Sequence, residues 1–502
     1  MRQKLIKKKI TDSPKKSVAK GLEAMGAELE KMAGAKLAAD STNEALHQLL
    51  FDRNIGKDQW TAGLKEHSKT LVNTLLNDDF EGFEMYLNSH LKHFAESKEA
   101  SEQIGKSGLM QIDQKAFLQE FLQLAVLIEH STIPPYLTAM YSIKDGTNAL
   151  AGGIIRSVVI EEMLHMIMVC NVLNALDIVP SVNKPQNFPS YPMQLPLNVD
   201  FYVNLEKFST NSLATFIAIE SPSSPSVDAP GSDTERNRQA AEALRTVEEA
   251  SDFWTSENLN DFLTKNVETI GEFYDVLFFF ILVFQVIDYY KKNGKLPTSF
   301  DDINTGGLFT GDPSLQIGPE QYYGSGGKLY TVTSLTGVMD VFKEIKGQGE
   351  GADDSIFDVD AAQFTEGMEL AHYFRFKEIF HERQYIPGDY SAFTDKEGRM
   401  PVITPPQGPD LKVDWSAVYP MKQNVKLSDF EGNPDLYAQG VEFNKTYKKL
   451  LDAVQVAVEG KPEEIERSVM YMYALRDMAV ELMKQPLTAT ENAGPTFEYP
   501  SN

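Results

Sequence analysis

Pairs of a glutamate and a histidine three residues apart are the first feature of this sequence that points to chemistry. On a helix, this spacing places a carboxylate and an imidazole on one face, where both can reach the same metal ion. The sequence contains four such pairs: Glu44/His47, Glu162/His165, Glu369/His372 and Glu378/His381. Because a spacing this short also arises by chance, the surrounding sequence has to separate metal-binding pairs from solvent-exposed ones.

The surroundings distinguish the first two pairs clearly. Glu162/His165 lies within the strongly apolar segment 154–169, where burying charges without partners would cost several kcal/mol. Something must therefore compensate these charges, and a metal ion would do so. Glu44/His47 lies in polar sequence, which predicts an exposed helix face.

The other two pairs share one predicted helix, residues 361–385. Glu369/His372 stands among apolar and aromatic residues, and Glu378/His381 follows nine residues later. Nine residues are about two and a half helical turns, so the two pairs would project from opposite sides of the helix. Only one of them can face the interior of a bundle.

Two further apolar stretches each contain one carboxylate. Glu129 ends an apolar run in a first long helix, and Glu272 lies one turn before the apolar run 276–284. Two helices would then provide one glutamate each and two others a Glu-x-x-His pair, which is the ligand set of a ferritin-like di-metal bundle. The predicted metal ligands are Glu129, Glu162, His165, Glu272, Glu369 and His372. Carboxylates with one imidazole per ion favour iron or manganese, so the predicted cofactors are two iron ions, with manganese as the alternative.

Two neighbours of these residues leave the assignment open. Glu161 lies four residues before His165 and shares a helix face with it, so it can replace or supplement Glu162. His130 points about 100° away from Glu129 on a helix, which predicts a core residue or a partner of a ligand.

Four long, apolar helical stretches carry the candidate ligands and suggest a helical bundle. They are residues 112–142, 149–176, 258–292 and 361–385. Pro134 and Pro135 predict that the first helix is kinked or ends there, since adjacent prolines remove two hydrogen-bond donors. The long connections 180–256 and 296–360 are predicted to be loops that cover the site.

The predicted fold is mainly α, a ferritin-like four-helix bundle with long inserted loops and helical additions at both ends. Residues 1–105 form a predicted helical N-terminal extension, and residues 106–390 the di-metal bundle. Residues 391–502 comprise a proline-rich linker and two amphipathic helices, near 435–458 and 462–484, that are expected to pack on the bundle.

The composition argues against several other classes of protein. The chain has 47 Lys+Arg against 72 Asp+Glu and a net charge of −25, so most of its surface would repel nucleic acid and anionic membranes. The longest apolar run, 276–284, is too short to span a bilayer. Cys170 is the single cysteine, which excludes an intrachain disulfide and fits a reducing compartment. We therefore expect a cytoplasmic protein without nucleic-acid partners or a membrane span; its oligomeric state is left open.

Several motifs resemble the ferritin-like domain of the iminophenyl-pyruvate dimer synthase family, which includes the bisindole-forming enzymes of pigment biosynthesis. The motifs are residues 128–137, 161–165, 269–274, 347–351, 372–376 and 494–497. The resemblance extends from about Asp113 to Tyr499, and its His-Tyr block selects Glu369/His372 over Glu378/His381. It implies that the six candidate ligands occupy the di-metal positions of the domain.

The leading hypothesis is a non-haem di-iron oxidase or oxygenase of secondary metabolism. It would use O₂ or peroxide to oxidise a small organic substrate, such as an amino-acid-derived imine or amine. One alternative is a non-catalytic ferritin-like protein that binds iron or another ligand, and a second is oxidative imine dimerisation, as in the family that the motifs resemble. A third is a scaffold whose acids pair with Arg156 or Arg375 and hold no metal.

Overall fold

The computed structural model covers the predicted bundle and the C-terminal part of the chain. It describes residues 113–222, 267–322, 326–350, 356, 369–386, 389–391 and 402–500. The predicted extension 1–105 and its pair Glu44/His47 lie outside the described residues. The domain boundaries therefore stay predictions.

The described chain is mainly helical, as predicted. Its α-helices are α1 (Gln114–Ser142), α2 (Ala149–Ala175), α3 (Thr210–Ile219), α4 (Ile270–Asn293), α5 (Asp301–Asn304), α6 (Leu335–Glu350), α7 (His372–His381), α8 (Pro434–Val458) and α9 (Ile465–Lys484). Short 3₁₀ helices occupy Pro185–Asn187, Pro313–Leu315, Leu427–Phe430 and Pro462–Glu464. Two short antiparallel strands, β1 (Tyr390–Ser391) and β2 (Val402–Ile403), pair with each other.

Helices α1 and α2 form a hairpin at the centre of the molecule. The side chain of Asp113 caps α1 by accepting a hydrogen bond from the backbone N–H of Ala116 at 3.0 Å. Both helices are apolar around most of their circumference and are correspondingly buried along most of their length. Because the short turn 143–148 joins them, residues near the middle of one helix face residues near the middle of the other.

Helix α1 continues through Pro134 and Pro135 to Ser142, so neither proline ends it. A proline at position 135 cannot donate to the carbonyl of Ser131, four residues earlier. The hydroxyl of Tyr191 donates to that carbonyl at 2.7 Å instead. A side chain from the following segment therefore replaces the backbone donor that the proline removes.

Helix α4 closes the core with aromatic rings. Phe280 and Phe284 pack on Phe117 of α1 with ring centroids 4.9 and 5.2 Å apart. Among the described residues, α4 is the one helix long and apolar enough to cross a membrane, and 88% of its most apolar window is buried inside the protein. The apolar run 276–284 is therefore only part of a 24-residue helix that is long enough to span a bilayer. Its burial is typical of a core helix.

The two long connections are not loops throughout, which corrects the prediction. The first contains α3, and the second contains α6, which packs against α2, α4 and α7. Residues 347–350 of the glycine-rich segment form the last turn of α6. Gly349 allows a close approach there, since a β-carbon at this position would lie 3.3 Å from a carboxylate oxygen of Glu220.

The C-terminal helices α8 and α9 lie where the sequence predicts them. They form a second hairpin that contacts α1 and α2. Asn174 of α2 donates to the backbone carbonyl of Val458 at the end of α8, at 2.9 Å. This contact ties the C-terminal hairpin to the central one.

Candidate metal centre

Two groups of buried side chains that can hold a metal ion lie in the core of the described structure. They are Glu129, Glu162 and His165, and Glu162, Glu220 and His372. In each group the ligand atoms lie within 4.8 Å of one another. Glu162 belongs to both groups, so the five residues form a single cluster, called the carboxylate–histidine cluster below.

Four helices position this cluster. Glu129 comes from α1, and Glu162 and His165 come from one face of α2, as their three-residue spacing predicts. Glu220 is the residue that ends α3, and His372 is the first residue of α7. All five side chains are nearly inaccessible to solvent.

Both histidines present Nδ1 to the carboxylates and hold Nε2 in a hydrogen bond outside the cluster. His165 Nε2 donates to the amide oxygen of Gln348 at 2.8 Å, and His372 Nε2 donates to Glu161 at 2.5 Å. With the proton kept on Nε2, as in a metal-bound histidine, Nδ1 would direct its lone pair into the cluster. A partner on the outer nitrogen is typical of metal-ligating histidines, because it fixes the tautomer and the orientation of the ring.

Each carboxylate of the cluster presents one oxygen to a hydroxyl group. Tyr274 donates to Glu129 Oε1, Tyr136 donates to Glu220 Oε1 at 2.5 Å, and Thr132 donates to Glu162 Oε2 at 2.6 Å. The remaining oxygens face the imidazoles.

The distances at these remaining oxygens show how the two groups are linked. His165 Nδ1 lies 3.5 Å from Glu129 Oε2 and 3.7 Å from Glu162 Oε1. His372 Nδ1 lies 3.0 Å from the same Glu162 Oε1 and 3.4 Å from Glu220 Oε2. A single oxygen of Glu162 therefore lies between the two imidazoles.

The cluster concentrates negative charge in the core. Within the described part of the chain, no lysine or arginine pairs with Glu129, Glu162 or Glu220. Burial and the neighbouring charge of Glu220 raise the pKa of Glu162 to about 7. Burial lowers the pKa of His372, but the charge of Glu220 and the hydrogen bond to Glu161 raise it more, to well above its ordinary value. Buried carboxylates of this kind require cations as partners.

One buried atom supports a metal ion as that partner. His372 Nδ1 makes no hydrogen bond to any described residue, although two carboxylate oxygens lie within 3.4 Å of it. A buried polar atom without a hydrogen bond is unusual and needs an explanation. An ion bound by Nδ1 and both carboxylates would satisfy it, so the residues fit a metal centre.

The structure brings four of the six predicted ligands into the cluster: Glu129, Glu162, His165 and His372. Glu369 does not join them. Its side chain is 61% exposed and forms an ion pair with Arg375 at 3.1 Å. The prediction is wrong for this residue because α7 begins only at His372, so Glu369 and His372 do not share a helix face.

Glu272 also lies outside both groups. It occupies the first turn of α4, where its carboxylate accepts a hydrogen bond from the backbone N–H of Glu268 at 2.9 Å. This is a favourable place for an acid, since the N-terminal end of a helix carries partial positive charge. Glu220, which is not among the predicted ligands, belongs to the second group instead.

The structure also shows the contacts of Glu161 and His130, whose roles the sequence leaves open. Glu161 pairs with Arg375 at 2.9 Å and accepts from His372 Nε2, so it supports a cluster histidine from outside. His130 contacts the backbone carbonyl of Asn187 at 2.9 Å and the hydroxyl of Tyr447. It is therefore a buried core residue, as predicted.

Of the two Glu-x-x-His pairs near α7, Glu369/His372 and Glu378/His381, only the first provides a histidine of the cluster. His381 is exposed at the end of α7, and Glu378 accepts a hydrogen bond from the backbone N–H of Tyr385 at 2.7 Å. The pair Glu378/His381 therefore does not contribute to the cluster.

Over the described ranges, the pairing with arginine that the scaffold alternative predicts is found for Glu369 but not for the carboxylates of the cluster. Arg375 pairs with Glu161 and Glu369, and Arg156 is exposed on the outer side of α2. Neither arginine neutralises the carboxylates of the cluster.

Glu220 is the cluster residue that the sequence does not predict. Helix α3 has Leu213, Phe216 and Ile219 buried, and Glu220 follows Phe216 by four residues on the same face. This periodicity was the available signal, but the proline- and serine-rich surroundings of the segment predicted a loop.

The fold and the cluster together define a ferritin-like protein. The ferritin-like family model matches residues 122–381, more than half of the chain, so the protein belongs to the ferritin-like family. This confirms the predicted fold class.

The protein is also similar to a ferritin-like protein of known structure. A ferritin-like protein from Caulobacter vibrioides is similar at 18% sequence identity and a TM-score of 0.41, over 75% of this chain and 97% of that one. No curated protein matches the sequence.

Proposed function

We propose that this protein is a non-haem di-iron oxidase or oxygenase that uses O₂ or peroxide to oxidise a small organic substrate. The observation that supports it most is the place of Glu162, whose Oε1 faces both imidazole Nδ1 atoms. A carboxylate in this position can bridge two cations, which is how ferritin-like bundles hold a metal pair.

The five residues divide naturally between two ions. Glu129 and His165 would hold one ion, Glu220 and His372 the other, and Glu162 both. Iron held by these residues would supply redox chemistry. Three protein groups for each ion would leave room for small ligands, which a closed structural site would not.

The surrounding residues would keep the ligands ready for the metal. Gln348 and Glu161 hold the outer nitrogens of the two histidines, and Tyr136 and Tyr274 hold the outer carboxylate oxygens. Burial excludes bulk water from the cluster. These contacts orient the lone pairs toward the ions before either ion arrives.

The finer parts of the proposal rest on the motif resemblance. It favours an amino-acid-derived imine or amine as substrate, in secondary metabolism. We also propose a cytoplasmic location, since the single cysteine is buried and unpaired. Manganese is the alternative metal.

Metal analysis with matched variants tests the metal centre. Anaerobic loading of the full-length protein with Fe(II) should give two iron ions per chain. Glu162→Ala should lower this to below one, because both ions lose a ligand. Glu369→Ala, the exposed control, should keep two. Less than one iron per chain in the unchanged protein, or equal contents in both variants, would contradict the proposal.

Oxygen consumption separates an oxidase from a storage protein. Air admitted to the di-iron protein with candidate imines and amines should consume O₂ in step with organic product. A storage protein would instead take up many further equivalents of iron without organic product. That outcome would leave the metal centre in place and remove the oxidase proposal.

A further inference from the structure

A second candidate site lies behind the metal centre. A cavity of about 810 Å³ lies between the α1–α2 hairpin and the C-terminal helices α8 and α9. Met163 and Met166 of α2 line it, whereas none of the five residues of the carboxylate–histidine cluster does. The volume falls within the range of about 300–1,000 Å³ that is typical of small-molecule sites.

The wall of this cavity suits an apolar, flexible molecule. Its apolar lining includes the thioether side chains of Met140, Met163, Met166 and Met472. Methionine side chains adapt to ligands of different shape because they are unbranched and polarisable. The buried polar atoms of His130 and Tyr447 are already joined to each other by a hydrogen bond, so this part of the wall does not demand a polar ligand.

Three cationic residues and two acidic ones line the cavity, which gives its wall a net charge of +1: Lys144, Arg156 and Arg476 against Asp145 and Glu466. Arg156 is exposed there and has no ion-pair partner among the residues that the structure describes. The neighbouring Arg476 is neutralised by Asp145 at 2.8 Å. On a chain of net charge −25, an unpaired arginine beside an apolar cavity is complementary to an anion that is attached to an apolar body.

Two adjacent glycines in α2 keep the entrance wide. Gly152 and Gly153 line the cavity, and glycine inside a helix costs roughly 0.5–1 kcal/mol relative to alanine. A β-carbon at Gly153 would meet nothing within 4 Å, and one at Gly152 would make only an ordinary 3.7 Å contact with Ile143. Helix packing therefore does not require glycine here, but a large side chain would obstruct the cavity.

We propose that this cavity binds a long-chain carboxylate, with its alkyl chain along the methionine-lined wall and its carboxylate at Arg156. The proposal goes beyond the oxidase function, because the cavity and the metal centre share no residue. It can therefore hold or fail independently of the metal.

Fluorescence titration tests the cavity. The delipidated, metal-free, full-length protein would be titrated with 11-(dansylamino)undecanoic acid, which fluoresces more strongly in apolar surroundings. We expect saturable binding of one molecule per chain, displaced by palmitate. Gly153→Trp should weaken binding at least tenfold by filling the entrance, whereas Gly432→Trp, which adds the same side chain at an exposed loop position, should not. Absence of saturable binding, or equal binding by both variants, would overturn the proposal.

A second pair of variants tests the carboxylate. Arg156→Gln should raise the Kd of palmitate about tenfold, the effect of losing one charge-assisted contact. Because the dansyl probe is also a carboxylate, its own Kd is measured first in each variant and used to calculate the Kd of each competitor. The Kd of hexadecanol, which has no charge, should not change. Arg467→Gln removes an arginine that pairs with Glu464 outside the cavity and serves as control. If Arg156→Gln weakens palmitate binding no more than Arg467→Gln does, the site does not select an anion, and the proposal fails on that point.

Discussion

At the scale of single residues, the two histidines of the cluster are held by chemically different partners. The neutral amide of Gln348 accepts from His165, whereas the ionised Glu161, itself paired with Arg375, accepts from His372. A carboxylate partner makes the imidazole a stronger electron donor than an amide does. The two groups of candidate ligands are therefore not equivalent, although each has two carboxylates and one imidazole.

A glutamate outside the cluster gives a prediction about pH. Burial raises the pKa of Glu120 from 4.5 to about 7, and its Oε2 has no hydrogen-bond partner within the described residues. Since the folded state binds this proton more tightly than the unfolded state, stability falls as pH rises from about 4.5 to about 7. Glu120→Gln should therefore stabilise the protein at pH 8 by on the order of 1 kcal/mol, a value discounted for partial exposure, and have no effect at pH 4.

Chemical denaturation of both proteins at pH 4 and pH 8 measures this difference. Glu463→Gln replaces an exposed glutamate and should show no pH-dependent gain. An equal gain for Glu120→Gln at both pH values would mean that the buried charge is not its cause.

The predictability of the site also differs from residue to residue. Glu129, Glu162 and His165 follow from the sequence because they lie inside long helices, where a spacing fixes a direction. The prediction fails for Glu369, because a three-residue spacing fixes a shared face only inside a helix and Glu369 precedes α7. Glu220 directly follows α3, a helix of ten residues whose proline- and serine-rich surroundings conceal where it starts and ends.

At the scale of elements, the continuous α1 shows how tertiary structure overrides a local signal. Two adjacent prolines predict a kink or an end, yet Tyr191 supplies the hydrogen bond that Pro135 removes. The donor lies 60 residues away, so no local pattern predicts it. The long apolar helices are predictable because their pattern extends over many turns, whereas the ten-residue α3 and the glycine-containing α6 are not.

A double-mutant cycle tests this compensation. Tyr191→Phe should destabilise the protein by about 1–3 kcal/mol, since a buried carbonyl loses its donor. In a Pro135→Ala background, the restored backbone N–H can bond to Ser131, so the same change should cost less. The measurement is the free energy of unfolding of the four proteins. An equal cost of Tyr191→Phe in both backgrounds would show that the tyrosine does not compensate for the proline.

At the scale of the whole molecule, metal binding should stabilise the fold, because the cluster joins four helices from distant parts of the chain. A ligand that binds the folded state alone stabilises it by about 4 kcal/mol at a thousand times its Kd. Mn(II), which does not oxidise in air under mild conditions, should therefore raise the thermal unfolding temperature. Glu220→Ala should diminish this increase, and Glu272→Gln should leave it unchanged.

Each variant is compared with its own metal-free form, so that a loss of intrinsic stability does not enter the result. Equal metal-induced shifts in Glu220→Ala and the unchanged protein would exclude Glu220 as a ligand. A loss of the shift in Glu272→Gln would restore the assignment made from the sequence alone.

The order of the cluster residues along the chain separates the two halves of the metal centre in time. The α1–α2 hairpin contains Glu129, Glu162 and His165, and it leaves the ribosome before Glu220 and long before His372. The first group of candidate ligands would thus be complete while the rest of the protein is still being translated. The second would be complete only after α7 docks, so during biosynthesis a site for one ion would precede a site for two.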